Sequence, residues 1–259
     1  MIWHWQFDPI ALHVGPLQLH WYGVLFALAF VLGQQLLAWC YRREGYDSQA
    51  LDSLMPWALI GTVLGARLAH CLIYDPAYYL SQPLAILRVW EGGLASHGGA
   101  LGLMLALWLY SRRHPQPGFA WLLDRIALPA ALGGALVRCA NFLNSEILGR
   151  PTGGDWGVVF AAIDPLPRHP VQLYEAGAYL LIAALLWTVY RRHGRATPSG
   201  LLAGLFLLTV FAARALLETL KTPQAAYETG FAVSVGQWLS LPLMALGLWL
   251  VWRAQRLTR

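Results

Sequence analysis

Long apolar runs separated by short polar segments are the main feature of this chain. Seven of these runs reach, or nearly reach, the roughly 20 residues that an α-helix needs to cross a bilayer. They cover residues 21–39, 54–73, 97–110, 121–142, 171–190, 200–220 and 235–252. The pattern therefore predicts an all-α, polytopic integral membrane protein with about seven transmembrane helices.

The third run is short, and the glycine-containing sequence EGGLASH, residues 91–97, leads into it. Because lipid cannot satisfy exposed backbone polar groups, such a segment has to be buried in protein or line a cavity. We therefore predict a re-entrant or cavity-lining segment here. The chain shows no internal repeat and no low-complexity linker, so we expect residues 1–259 to form a single membrane-embedded domain.

Composition supports the membrane prediction. Hydrophobic residues make up 58% of the 259 residues, and charged residues only 12%. A soluble domain has about 25% charged residues. Two or three soluble domains are therefore not expected.

The distribution of Lys and Arg predicts the orientation, because basic residues flanking short loops stay on the cytoplasmic side. One side collects eleven of them, namely Arg42, Arg43, Arg112, Arg113, Arg125, Arg191, Arg192, Arg195, Arg253, Arg256 and Arg259. The other side has four, which are Arg88, Arg150, Arg168 and Lys221. This bias predicts an outside N-terminus and a cytoplasmic C-terminus. The basic loops also account for most of the pI of 9.3, so we expect no nucleic-acid partner.

With this orientation, polar residues collect at the outer ends of several predicted helices. The sequence RCANFLNSE at the end of the fourth run supplies Arg138, Asn141, Asn144 and Glu146. Other runs supply Tyr22, Arg67, His97, Arg214 and Glu218. A charge buried in a bilayer costs about 2.5–3.5 kcal/mol on insertion scales, so charges in such segments usually mark a function. The convergence predicts a site near the outer face.

Each of these residues also has a simpler explanation when taken alone. Arg214 and Glu218, four residues apart, can pair along one helix face. Arg138 can extend to the interface, and Tyr22 fits an aromatic belt. His97 fits a hydrogen-bonded histidine at a helix start. Their convergence at one depth is what favours a site.

Two or three arginines with asparagine donors and nearby glycines suit a phosphate group, because guanidinium binds phosphate through paired hydrogen bonds. In the outer half of a bilayer, the abundant phosphate is a phospholipid headgroup. The chain has neither the GxxxxGK[ST] loop of ATP-binding proteins nor the HExxH zinc motif. We therefore expect a reaction on a lipid without a cofactor or a metal. The three cysteines, Cys40, Cys71 and Cys139, are expected to be buried apolar filler.

Several segments show which family the chain resembles. VRCANFLNSEILGRPT (137–152) closely resembles the signature of the prolipoprotein diacylglyceryl transferases. The similarity extends to HWYG (20–23), WEGGLASHGGALG (90–102), RHPVQLYE (168–175), RALLETLKTP (214–223) and GQWLSLP (236–242). Cys139 and Ala140 stand where the family often has a small residue and glycine, a mild departure that affects no proposed role.

The resemblance implies an enzyme of the bacterial inner membrane whose active site faces the periplasm. It implies transfer of the diacylglyceryl group of phosphatidylglycerol to the lipobox cysteine of a prolipoprotein, the first step of lipoprotein maturation. The product is a thioether, and glycerol phosphate is released. The expected partners are phosphatidylglycerol, the prolipoprotein signal peptide and the bilayer.

The resemblance also implies roles for particular residues. His97 is the expected base for the thiol, and Arg138 and Arg214 are expected to stabilise the leaving group. Tyr22 is expected to orient the lipid or the sulfur. The expected substrate-binding residues, besides Arg138, are Asn141, Asn144, Glu146, Gly149, Glu218, Gly98 and Gly99, with Glu146 and Glu218 holding the arginines in place. A headgroup oxygen or the arginine field remains an alternative to His97 as proton acceptor.

Two other classes of protein remain open at this point. A secondary transporter also gathers charges in a helical bundle, although near the midplane and usually with repeated halves. An acyltransferase with a cysteine nucleophile requires Cys139 to face the same cavity as Arg138. Successive helical residues point about 100° apart, which disfavours that arrangement.

Overall fold

The computed structural model describes residues 1–15, 17–47, 49–89, 92–222 and 235–256, and most of these residues are helical. Eight α-helices are formed in these ranges: α1 (Trp21–Glu44), α2 (Gln49–Ala69), α3 (Pro76–Ser81), α4 (Ser96–Arg113), α5 (Phe119–Leu143), α6 (Val171–His193), α7 (Leu201–Leu217) and α8 (Val235–Arg256). The chain divides into two compact units. The larger unit contains Met1–Cys40 and Leu123–Arg259, and the smaller unit contains Tyr41–Leu122.

Five helical segments within the described ranges are long and apolar enough to cross a membrane. They are Trp21–Glu44, Gln49–Tyr74, Phe119–Leu143, Val171–Ala196 and Leu201–Leu220. A predominantly helical membrane protein, as the apolar runs predicted, is therefore confirmed. Helices α4 and α8 form where the third and seventh runs predicted them, but they are not among these five.

In the smaller unit, α2 and α4 pack with their backbones in direct contact. A Cβ added at Gly61 would lie 2.7 Å from the carbonyl oxygen of Gly102, and one added at Gly65 would collide with the Gly98 carbonyl. Glycines four residues apart on both helices allow this close approach. Gly98, predicted to bind substrate, faces α2, and a Cβ there would collide with Ala69. At Gly99 the nearest atoms would be 3.5 Å away, an ordinary contact distance.

These two neighbouring glycines give a matched pair of variants. We expect Gly98→Ala to destabilise the protein by about 1–3 kcal/mol, because the added methyl group overpacks a closed contact. We expect Gly99→Ala to be neutral or slightly stabilising, because alanine favours helix. Thermal unfolding in one detergent measures both. Equal melting temperatures for the two variants would contradict this packing.

Arg67, near the end of α2, is fully buried and fixes the segment that leads into α4. Its guanidinium donates hydrogen bonds to the carbonyls of Ala85 (2.7 Å), Ile86 (2.9 Å) and Arg88 (3.0 Å). It also donates to the carbonyls of Gly92 and Gly93. The described part of the predicted irregular segment, residues 92–95, indeed has no helix, while Glu91 lies outside the described residues.

The larger unit adds short strands to its helices. Strand β1 (Ile2–Trp5) pairs in parallel with β4 (Gly157–Phe160), and β4 pairs antiparallel with β5 (Pro167–Arg168). Strands β2 (Ile10–Val14) and β3 (Leu17–His20) form an antiparallel hairpin before α1. The apolar pattern predicted none of these strands. The ring centroids of Trp5 and Phe142 are 4.5 Å apart, and this contact joins the sheet to the end of α5.

A buried carboxylate connects two helices elsewhere in the larger unit. Asp124, in the first turns of α5, is fully buried and accepts hydrogen bonds from the backbone N–H groups of Gly200 (2.7 Å) and Ala203 (2.9 Å). These N–H groups belong to the start of α7, where helical donors have no partner within the helix. Asp124 therefore caps α7 from a neighbouring helix.

Candidate active site

The end of α5 brings four of the predicted site residues into one hydrogen-bonded chain. Arg138 Nη1 donates to Oδ1 of Asn141 at 3.1 Å, and Asn141 Nδ2 donates to Oε2 of Glu146 at 3.0 Å. Asn144 Nδ2 donates to Oε1 of the same glutamate at 3.2 Å. The glutamate side chain thus holds both amides, and one of these amides holds the arginine.

The backbone after α5 is strained where it positions Glu146. Ser145 and Ile147 both have φ of 55°, a left-handed conformation that is unfavourable for a β-branched residue such as isoleucine. Two contacts fix Glu146 between them. Its N–H donates to the Asn141 carbonyl (2.9 Å), and its carbonyl accepts from Gln172 Nε2 (2.6 Å). Backbone strain of this kind concentrates at functional sites, where the surroundings enforce it.

Two charged residues that the sequence reasoning missed complete the arrangement around Arg138. Glu175, on α6, is fully buried, and its Oε2 lies 3.0 Å from Arg138 Nε. Its other oxygen, Oε1, lies 2.9 Å from Nζ of Lys221, which is also buried. Sequence reasoning treated Lys221 as one of four basic residues of the outer side, but in the structure it belongs to a buried ion-pair chain.

The expected role of Glu146 and Glu218 in holding the arginines needs correction. Glu218 Oε2 lies 3.0 Å from Lys221 Nζ, and in the described part of the chain Glu218 makes no ion pair with Arg214, four residues earlier. Glu146 contacts Arg138 only through Asn141. The carboxylate that binds Arg138 directly is Glu175, because α6 presents its first turns to the end of α5.

Arg138 and Arg214 come from different helices, α5 and α7, and both lie near Tyr179 of α6. The Tyr179 hydroxyl, on α6, interacts electrostatically with both arginines and with Glu175. Among the described residues, no carboxylate lies within ion-pair distance of Arg214. Tyr22, in the first turn of α1, interacts with Glu146 and Arg138. The larger unit therefore brings Tyr22, Arg138, Asn141, Glu146 and Arg214 near one another.

Gly149 lies at a point where two backbones meet. A Cβ there would collide with the carbonyl of His169, so no larger residue fits. The Gly149 carbonyl accepts hydrogen bonds from Arg168 Nη1 (2.9 Å) and Thr222 Oγ1 (3.0 Å). Arg168 also binds Asp164, and this contact lowers the pKa of the Asp164 carboxyl. The close backbone contact explains the glycine without a ligand.

The remaining predicted site residues lie in the smaller unit. His97 is an exposed residue of the first turn of α4, followed by Gly98 and Gly99. The larger unit therefore contains Arg138, Arg214, the asparagines, the carboxylates and Tyr22, whereas Arg67 and the proposed base belong to the smaller unit. Arg259, one of the basic residues used for the orientation, lies outside the described residues.

The cluster in the larger unit holds three cations and three carboxylates. The cations are Arg138, Arg214 and Lys221, and the carboxylates are Glu146, Glu175 and Glu218. Lys221 and Arg138 are engaged by carboxylates, whereas none of the described carboxylates lies within ion-pair distance of Arg214. Within the described ranges, no group of three or more His, Cys, Asp or Glu side chains is arranged to hold a metal ion.

Comparison with known proteins gives the family. The model of a family described as prolipoprotein diacylglyceryl transferase matches residues 9–253. The chain belongs to the prolipoprotein diacylglyceryl transferase family. The matched range includes all of the smaller unit, most of the larger unit and every predicted site residue.

Relatives of this transferase family are similar over nearly their whole length. The chain is 56% identical to a phosphatidylglycerol–prolipoprotein diacylglyceryl transferase of Tolumonas auensis over 244 residues, 94% of each chain. It is 46% identical to the protein of that name from Chloroherpeton thalassium, over 96% of this chain and 93% of the relative. It is 42% identical to the protein of that name from Porphyromonas gingivalis, over 96% of this chain and 94% of the relative.

The transferase residues that the sequence reasoning missed carried a readable signal. Gln172 and Glu175 are polar residues near the start of the apolar run 171–190. They are three residues apart and therefore lie on one face of a helix. A carboxylate inside such a run requires a partner. The apolar pattern alone did not identify Lys221 as that partner, because 46 residues of sequence separate the two.

Proposed function

We propose that this protein transfers the diacylglyceryl group of phosphatidylglycerol to the lipobox cysteine of prolipoproteins. The observation that best supports this is the polar cluster at the end of α5, in which Arg138 donates to Asn141 and pairs with the buried Glu175, with Arg214 of α7 near the same Tyr179. Two guanidinium groups from separate helices can bind a phosphodiester from two directions. The names of the relatives state the same substrates.

In the proposed reaction, the cysteine sulfur of the substrate attacks the carbon of the diacylglyceryl group that is bonded to the phosphate oxygen. A C–S bond forms, the C–O bond breaks, and glycerol phosphate leaves with the electron pair. The thiol proton passes to His97. Arg138 and Arg214 stabilise the charge that develops on the leaving oxygen, since donors fixed in advance lower the energy of the transition state. The nucleophile belongs to the substrate, so no cysteine of this chain takes part.

The other predicted residues have supporting roles in this proposal. Asn141, Asn144 and Glu146 shape the headgroup pocket beside Arg138, and Tyr22 orients the lipid or the sulfur. Glu218 acts through Lys221, and Gly149 keeps the loop close to α6. Gly98 and Gly99 act through the position that they give to His97, because Gly98 packs α4 directly against α2.

We further propose that residues 1–259 form one domain of the bacterial inner membrane, with seven membrane spans. In this topology α4 and α8 complete the set of five candidate spans. The N-terminus and the arginine cluster face the periplasm, and the C-terminus faces the cytoplasm. The eleven basic residues on one side of the chain support this orientation.

Reporter fusions test the orientation. We expect a reporter fused after Arg259 to read as cytoplasmic, and one inserted beside Pro165, in the loop between β4 and β5, to read as periplasmic. The reverse result at either position would place the arginine cluster on the wrong side of the membrane for this reaction.

Release of glycerol phosphate tests the function. Purified protein in phosphatidylglycerol vesicles should release glycerol phosphate only when a lipobox peptide with a free cysteine is added, and not with the serine peptide. Release that does not depend on the peptide would indicate a phospholipase, and lipid or solute flux without release would indicate a transporter.

The Cys139→Ala variant should keep full activity. Loss of activity in this variant would favour a cysteine nucleophile in this chain.

A further inference from the structure

We propose that Glu175 and Lys221 are positioning residues for Arg138. They hold its guanidinium in the orientation that the transfer reaction requires. This inference rests on the proposed function, in which Arg138 stabilises the leaving group. Neither residue is expected to contact the substrate itself, because both are buried whereas Arg138 is partly exposed.

Arg138 is held at two atoms from two helices. Its Nε lies 3.0 Å from Glu175 Oε2, and its Nη1 donates to Asn141 Oδ1 at 3.1 Å. The ion pair with Glu175 and the hydrogen bond to Asn141 together restrict where the planar guanidinium can lie. Asn141 is on the same helix as Arg138, three residues along, whereas Glu175 is on α6. Glu175 is therefore the contact that ties the orientation of Arg138 to the rest of the unit.

A carboxylate paired with Arg138 alone would cancel much of the positive charge that a phosphate needs. Lys221 reduces this cancellation, because its ammonium lies 2.9 Å from the second oxygen of Glu175. The carboxylate is then shared between two cations, while Lys221 is also paired with Glu218. A buried charge left without its partner is strongly unfavourable, so the fully buried Glu175 depends on both cations.

Lys221 is itself held from two sides. Its Nζ contacts Glu218 Oε2 at 3.0 Å, and its carbonyl accepts from Arg150 Nε at 3.0 Å. Its backbone also forms an isolated bridge with Gly149. Glu218 in turn sits against the start of α8, where a Cβ at Gly236 would lie 2.6 Å from its Oε1. The ion-pair chain thus connects α5, α6, the end of α7 and the loop at Gly149.

Kinetics of charge-matched variants test this role. We expect Glu175→Gln to lower kcat by about 10- to 100-fold, because a small displacement of a catalytic group has effects of this size. The KM for phosphatidylglycerol should change by less than about 3-fold. Lys221→Met should cause a similar loss, because it leaves Glu175 paired with Arg138 alone. The double variant Glu175→Gln/Lys221→Met should be about as active as Glu175→Gln, since Lys221 acts on Arg138 only through Glu175.

Adding Glu175→Gln to an Arg138→Lys variant separates a positioning role from a general structural role. In Arg138→Lys, the planar group that Glu175 orients is gone, so adding Glu175→Gln should cost less than about 3-fold. Asp124→Asn is the matched control, because it also changes a fully buried carboxylate of this unit to an amide. It should lower the melting temperature and leave the kcat of the folded enzyme unchanged.

Each outcome decides one question. Wild-type kcat in Glu175→Gln, or a loss of the same factor in the Arg138→Lys background, would overturn the positioning role. A double variant whose loss equals the product of the single losses would show that Glu175 and Lys221 act independently. Near-wild-type turnover of Arg138→Lys and Arg138→Ala would instead overturn the proposed function. If Glu175→Gln fails to fold, the charge-neutral double variant replaces it in both comparisons.

Discussion

Replacing Arg138 or Arg214 by alanine is expected to lower turnover by about 100- to 1000-fold, the usual effect of removing a donor that stabilises developing charge. The structure predicts different effects of the two variants on stability. Arg138→Ala leaves Glu175 with one partner instead of two, so its melting temperature should fall. Among the described residues, Arg214 has no carboxylate partner, so the melting temperature of Arg214→Ala should equal that of the wild type.

Lysine variants separate geometry from charge at these two positions. A lysine carries the positive charge but not the planar pair of donors, so Arg138→Lys and Arg214→Lys should recover only a small part of the lost rate. Arg191→Ala, an exposed residue in the last turn of α6, is the control and should turn over normally. Near-wild-type lysine variants would show that a diffuse positive field is enough. Near-wild-type alanine variants would move the leaving-group site away from these helices.

Replacing His97 by asparagine is expected to lower kcat/KM by about 100- to 10,000-fold at neutral pH, the range for loss of a general base. The defect should shrink as the pH approaches about 8.5, where a free cysteine thiol ionises without help. Turnover of the lipobox peptide between pH 6 and pH 9.5 measures this. The side chain of His97 is exposed at the start of α4.

His114, at the other end of α4, provides the control for this experiment. His114→Asn should keep the wild-type rate at every pH. A His97→Asn defect of the same size across the whole range would contradict the role as base. It would indicate that His97 orients the lipid and that a headgroup oxygen or the arginine field accepts the proton.

The helical part of the fold could be read from the sequence because each apolar run carries its own signal. Helix formation depends on contacts three and four residues apart, so a local pattern is enough to predict it. The strands could not be read in this way. Strand β1 is only four residues long, and its partner β4 lies more than 150 residues away. Such a pairing leaves no local periodicity.

The same distinction applies to the site. Arg138, Asn141, Asn144 and Glu146 are close in sequence, and they form one hydrogen-bonded chain in the structure. The partner of Arg138 could not be inferred, because Glu175 approaches it from another helix. The pairing suggested by spacing, Arg214 with Glu218, does not form, because Lys221 lies closer to Glu218 after the chain leaves α7. Helical spacing predicts which side chains are near one another, but it does not decide between competing partners.

Mass spectrometry of a lipobox peptide incubated with the purified protein and phosphatidylglycerol tests the central claim most directly. Wild-type protein should add one diacylglyceryl group to the cysteine sulfur through a thioether that resists mild base. Arg214→Ala, folded to the same extent, should form this product at least about 100-fold more slowly. An unmodified peptide, a single acyl chain bound as a thioester, or equal product from Arg214→Ala would contradict the account.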